Sequence, residues 1–194
     1  MDNSRWRWAF AVLALSVAGA GPLGAAYVRP MNLRELSENA DRVLRGTVVE
    51  ISRDTVEAGG GSIPILRYRV RVNESLKGSA TAGGEVEIRM VDPKAGSGRS
   101  VGSALAVSRF AELPRLSEGQ EYLLFLTRPS SVGLSTTVGL GQGCFRVHAG
   151  REITVVNERD NVGLFRDMPE RRNARGAMRY SDMAGEIRRL RDAR

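Results

Sequence analysis

Strict alternation is clearest in LRYRVRV, where Leu66, Tyr68, Val70 and Val72 interleave with Arg67, Arg69 and Arg71. A strand buries the first set and exposes the second. EVEIRM repeats the pattern, with Val86, Ile88 and Met90 facing inward and Glu85 and Glu87 outward. RVLRGTVVEIS is rich in β-branched residues and predicts a strand; the polar, glycine-rich RDTVEAGGGS after it reads as a loop. From Tyr122 to Leu126 the chain is almost continuously apolar, which predicts a central strand buried on both faces. VGLSTTVGL, CFRVHAG and EITVVN predict the later strands, with Ala149 to Arg151 as a tight hairpin.

Helical spacing occurs at two places. Asn32 stands at an N-cap with Glu35 three residues on, a capping-box spacing, and Leu33 and Leu36 share one side. Near the C-terminus Ser181 is the expected cap of DMAGEIRRLRDAR, where Met183, Ile187 and Leu190 form a narrow apolar stripe able to pack back on the strands. A short helix, at least five strands and long glycine-rich connections predict a mainly β protein. The expected form is a small OB-like Greek-key barrel with a short N-terminal helix and a C-terminal helix.

The first residues change the picture of where the chain acts. Arg5 and Arg7 precede the apolar run Ala9 to Ala20, and GPLGAA follows with Gly24 and Ala26 placed for a signal peptidase. That order is a secretory signal peptide, with cleavage expected after Ala26. The run falls short of the ~20 apolar residues of a membrane-spanning helix, and no lipidation cysteine follows it. The expected organisation is a signal peptide over 1–26, a barrel over 27–165 and a basic tail with a C-terminal helix over 166–194. A secreted or periplasmic product without a transmembrane segment follows. With Cys144 as the only cysteine, no intramolecular disulfide can form, so stability must come from packing.

The net charge of +7 is unevenly spread. Much of the excess lies beyond Phe165, including Arg171, Arg172, Arg188 and Arg189. Such a tail attracts phosphates, anionic lipid or acidic glycans without base readout, and implies no specific nucleic acid. A solvated, partly disordered tail is the plainer reading of the same residues. Arg67, Arg69 and Arg71 likewise offer a polyanion surface. If LRYRVRV and EVEIRM are neighbours, however, the arginines face Glu85 and Glu87 across the ladder, and that structural pairing is the favoured reading.

The chain has one histidine, His148, four positions from Cys144. On a strand both point to one face, but four residues of rise separate them by ~13 Å, far beyond hydrogen-bond reach. A zinc site needs further nitrogen, sulfur or carboxylate ligands, and no Cys/His cluster supplies them. DPKAGSGRSVGS lacks the Gly-Lys-Ser/Thr ending of a phosphate loop, and the fingerprints of serine hydrolases, zinc peptidases and dinucleotide enzymes do not occur. The expectation is therefore no catalytic residue, no metal and no cofactor.

ENADRVLRGTVVEIS, YRVRVNESLKG and EGQEYLLFL together resemble the strand pattern of netrin-module or tissue-inhibitor-of-metalloproteinase-like OB domains, over roughly Leu36 to Val147. The resemblance is to a secreted bacterial form without the cysteines, a group without an assigned activity. In the inhibitors a leading cysteine chelates the peptidase zinc; here the expected mature start is Tyr27, so that mechanism transfers to no residue of this chain. What the resemblance implies is a scaffold that binds through its loops. Three functions remain open at this stage. The leading one is a secreted, non-enzymatic protein-binding module using Asp54 to Ile63 and Asp92 to Ser103, with a secreted peptidase as one such partner. The second is a binder of an anionic envelope polymer through Arg67, Arg69, Arg71, Arg171, Arg172, Arg188 and Arg189. The third is a hydrolase with an unrecognised site at Cys144 or His148.

Overall fold

The run Glu121–Leu126 is the middle strand of a seven-stranded antiparallel sheet, as its two-sided hydrophobicity requires. The computed structural model describes residues 29–58, 61–92, 94, 113–168 and 175–193. In chain order the elements are α1 (Leu33–Asn39), β1 (Arg42–Ala58), β2 (Gly61–Lys77), β3 (Glu85–Val91) and β4 (Glu121–Leu126). A 3-10 turn over Leu140–Gly143 then leads into β5 (Cys144–His148), β6 (Thr154–Asn157), β7 (Met178–Arg179) and α2 (Tyr180–Asp192). The expected signal peptide, Arg171, Arg172 and nearly all of the loop from Asp92 to Ser103 lie outside the described residues.

The strand order is β3-β2-β1-β4-β5-β6-β7. β1, β2 and β3 follow one another as antiparallel neighbours, and β4 returns by a long connection to the other edge of β1, which is a Greek key. The mainly β class with a helix near each end is what the fold has, but the sheet is not closed. β3 and β7 are its two ends, and no ladder joins them among the described residues. β5, β6 and β7 shorten progressively, and the face they share with β4 is covered by helices.

Two apolar layers form, one on each side of β4. On one face Leu123, Phe125 and Phe145 pack with Leu33 and Leu36 of α1 and with Met183 and Ile187 of α2. On the other, Leu44, Leu66, Tyr68, Val70, Ile88 and Leu124 pack together. The C-terminal helix, expected at the end of the basic stretch with a stripe able to pack back on the strands, thus belongs to the core. It begins at Tyr180 with Arg179 in the cap position and no side-chain cap bond, so Ser181 lies inside the helix rather than capping it. The apolar stripe buries Met183, Ala184, Ile187 and Leu190, and this burial outweighs the missing cap.

Where the chain departs from the expected local structure, register or glycine geometry is responsible. The capping box of α1 is made: Glu35 N–H donates to Asn32 Oδ1, and Asn32 N–H to Glu35 Oε2, both at 2.9 Å. Arg53 to Ala58, expected as loop, continues β1 and pairs as far as Ala58↔Gly61. VGLSTTVGL forms no named strand and makes one isolated bridge, Leu126↔Thr137, because Gly133 and Gly139 turn the chain at positive φ. The β5–β6 connection runs from Ala149 to Ile153, longer than the expected tight turn.

Gly46 sits at an irregularity in the β1–β2 register, where a Cβ would lie 2.6 Å from both Arg71 O and Val70 Cγ1. The carbonyl belongs to a paired strand and cannot step aside. Gly46→Ala is expected to cost about 1–3 kcal/mol by overpacking, read as a lower urea midpoint at unchanged slope.

Candidate binding surface

Arg67, Arg69 and Arg71 line one face of β2, as their alternation requires, and all three meet carboxylates. Arg69 and Arg71 stand opposite Glu87 and Glu85 in the β2–β3 register, and Glu50 of β1 stands opposite Arg69. Ion pairs form straight across the ladders, Arg69 to Glu50 at 2.5 Å and Arg71 to Glu85 at 3.9 Å, and diagonally, Arg69 to Glu85 at 3.4 Å and Arg67 to Asp54 at 3.6 Å. These groups are largely exposed, so each pair contributes at most about 1 kcal/mol; their main effect is to balance the charge of the row.

Of the tail arginines, the described Arg188 and Arg189 do not extend that row. Arg188 pairs with Glu74 at the far end of β2, while Arg189 pairs with Glu186 one turn earlier on α2. Glu74 is the hub of a polar cluster that fastens the helix to the sheet. Tyr180 Oη donates to Glu74 Oε2 at 2.7 Å, and the Arg45 guanidinium lies 4.5 Å from the centre of the Tyr180 ring. Burial, reinforced by the Glu74 carboxylate, holds the Tyr180 phenol well above its usual range.

Cys144, Arg146 and His148 share one face of β5, and β5 is a regular strand, so the separation of ~13 Å expected between Cys144 and His148 stands. Both line a groove of about 270 Å³, together with Tyr122, Glu158 and Pro114. Burial, with a smaller push from Glu158, raises the Cys144 thiol to about 12. Thiolate is the nucleophilic form, and it is scarce there at neutral pH. Cys144 is expected to react with a disulfide reagent at pH 8 only as fast as the protein opens, and at full rate in denaturant. The raised value also sets a sign for stability. The folded chain keeps this proton where the unfolded chain releases it, so the contribution of Cys144 is intact below about pH 9 and declines from there to about pH 12. Cys144→Ala should flatten that alkaline decline.

The larger opening, about 490 Å³, lies on the same face of the sheet, beside β1 beyond the end of its pairing with β4. Leu66, Tyr68 and Leu116 form its floor, Ile51 one side, and Arg53 and Arg115 its rim. The segment from Leu113 to Ser117 crosses this face, held by the Ser117 N–H bond to Tyr122 Oη at 3.0 Å. Both rim guanidiniums approach a single buried carboxylate: Asp92 Oδ2 lies 3.9 Å from Arg53 Nε, and Asp92 Oδ1 lies 3.7 Å from one terminal nitrogen of Arg115. Asp92 also accepts the Lys94 N–H at 3.0 Å. Sequence reasoning passed over Arg53 and Arg115, and named Asp92 only as the first residue of a candidate binding loop. None belongs to a periodic run, and only the crossing of distant segments brings them together.

The surface therefore has three parts: a charge-balanced arginine row, a groove along β5 and a cation-rimmed opening at the root of a long hairpin. No protein-family model matches the chain, and no curated protein matches it. Among the described residues, no helix is long and apolar enough to cross a membrane.

Proposed function

We propose that this chain is an exported, non-enzymatic protein-binding module whose contact element is the β1–β2 hairpin. One observation carries the reading: the hairpin outruns both of its neighbours. The ladder with β4 stops at Thr47↔Glu121 and the ladder with β3 at Ile65↔Val91, whereas β1 and β2 stay paired to Ala58↔Gly61. Most residues from Arg53 to Pro64 are exposed, so the arm has little core of its own. Backbone pairing along the arm holds its side chains in one register, and such pre-organisation lowers the ordering cost of recognition. A secreted peptidase is the partner class that the netrin-like resemblance suggests. Polyanion binding is the weaker reading, because Arg67, Arg69 and Arg71 already face carboxylates.

The test is capture from secreted and envelope fractions of the source organism with the chain from Tyr27 to Arg194, beside a variant in which Thr55 to Pro64 is replaced by Asn-Gly. That two-residue turn suits a hairpin closed by Asp54 and Ile65. The expected result is one protein retained at high salt by the parent and lost by the variant. Capture that ignores the shortening, or that yields only nucleic acid and acidic glycans at low salt, overturns the proposal.

A further inference from the structure

The root of the hairpin offers more than side chains. Asp92 N–H donates to Pro64 C=O at 3.0 Å, so Pro64 turns its backbone toward β3 and away from β1. Its cross-strand partner Thr55 therefore belongs to a non-hydrogen-bonded pair and directs its own N–H and C=O outward; alternation gives Arg53 and Ile51 the same orientation. Thr55 N–H is taken up by Asp54 Oδ1 at 2.8 Å, which closes the edge at that end. At the other end Val48 bonds Gly119 and Gln120, so the strand is covered up to that point. Between them the outward N–H and C=O groups of Ile51 and Arg53 have no strand partner among the described residues. Unpaired edges of this kind are templates for an added strand.

The opening beside this edge says what such a strand carries. Ile51 and Arg53 stand opposite Tyr68 and Leu66, so their side chains share the face on which the apolar floor lies. A residue of an added strand that points to this face meets Leu66, Tyr68 and Leu116, and its neighbour two positions away meets Arg53 and Arg115. Those two cations share one carboxylate at 3.7–3.9 Å, beyond hydrogen-bond distance, so among the described residues the rim keeps a positive excess and unused donors. On the opposite face Glu50 and Asp54 border the edge, each held by an arginine of the balanced row.

We propose that the outer edge of β1 at Ile51 and Arg53 binds an extended acidic peptide as an added strand, with an apolar side chain in the adjoining opening and carboxylates on Arg53 and Arg115. This deepens the protein-binding reading and rests on it.

The probe is fluorescein-labelled Thr-Asp-Thr-Phe-Thr-Asp-Thr, which sets phenylalanine and both aspartates on one face. A lysine-for-aspartate version is the control. Titration by fluorescence anisotropy should show binding of the acidic peptide that weakens with salt, and at least about tenfold weaker binding of the lysine version. Arg53→Gln and Arg115→Gln should each lose about fivefold. Arg53→Pro should lose about tenfold more than Arg53→Gln, because proline removes the outward N–H, a position where an edge strand tolerates it. In the parent protein, saturating peptide should slow hydrogen exchange at the amides of Ile51 and Arg53. This readout needs no variant to fold. Equal binding of the lysine peptide, or unchanged exchange at both amides, overturns the proposal. The shortened hairpin keeps Ile51 and Arg53 and should bind the probe like the parent. Failure of the probe beside hairpin-dependent capture removes this inference alone; loss of hairpin dependence while the probe still binds removes the hairpin reading alone.

Discussion

Phe125→Ala is expected to lower the unfolding free energy by about 3–5 kcal/mol, a large part of the ~5–15 kcal/mol of a typical domain. Phe125 is fully buried on the middle strand, and its ring centre lies 5.6 Å from that of Phe145 in a tilted contact. Two features prevent the gap from closing. Val138 N–H bonds Phe125 C=O at 2.8 Å, and Gly143 packs so closely that a Cβ there would lie 3.2 Å from Phe125 Cβ. The backbone on both sides is therefore held in place while the ring is removed. The urea midpoint of Phe125→Ala should fall steeply, whereas Arg69→Ala, on the exposed row, should change stability by no more than about 1 kcal/mol. A Phe125→Ala variant within about 1 kcal/mol of the parent would mean that the helical face is not a packed layer.

Ile187→Asp should be at least as damaging, by about 4 kcal/mol or more, since it removes an apolar side chain and buries a carboxyl without a partner. Ile187 is 1% exposed and belongs to the layer that includes Leu36, Leu123 and Phe125. The penalty has a pH signature. Protonating the introduced carboxyl removes its charge, so the deficit relative to the parent should be smallest below about pH 4, where folded and unfolded chains both hold the proton, and grow as pH rises from there toward the raised value of the buried carboxyl. Arg188→Ala, one position on, serves as the comparison. It loses the Glu74 pair and should cost only about 1 kcal/mol. A solvated tail would make the two substitutions equally mild, so their difference measures how far the last helix belongs to the domain.

Periodicity made much of this fold legible. The alternation of LRYRVRV and EVEIRM appears in β2 and β3 with the expected faces buried, and Tyr122 to Leu126 lies at the centre of the sheet with both faces covered. The Asn32–Glu35 spacing produced its capping box. Local pattern failed where pairing, rather than propensity, decides the conformation. Arg53 to Ala58 is polar and glycine-flanked, yet it remains strand because each residue has a partner on β2. VGLSTTVGL carries the β-branched residues of a strand, yet only Thr137 bridges to Leu126, since glycines at positive φ turn the chain away.

The candidate surface was legible only in part. The arginine row and its glutamate partners follow from counting alternate residues, and the distance between Cys144 and His148 follows from strand rise alone. The opening rimmed by Arg53 and Arg115 does not, because its walls come from β1, β2 and the segment before β4, with Asp92 joining them from the end of β3.

By itself, then, the order of apolar and polar residues determined the mainly β class, which faces of the strands are buried and the helical character of the chain after Tyr180. These properties depend on spacings within one segment. The tertiary structure decided that the sheet stays open, that the last helix completes the core and that the β1–β2 hairpin outruns its neighbours. Each of those depends on which distant segments pair and where each ladder stops, and hydrogen bonding and packing between segments set both.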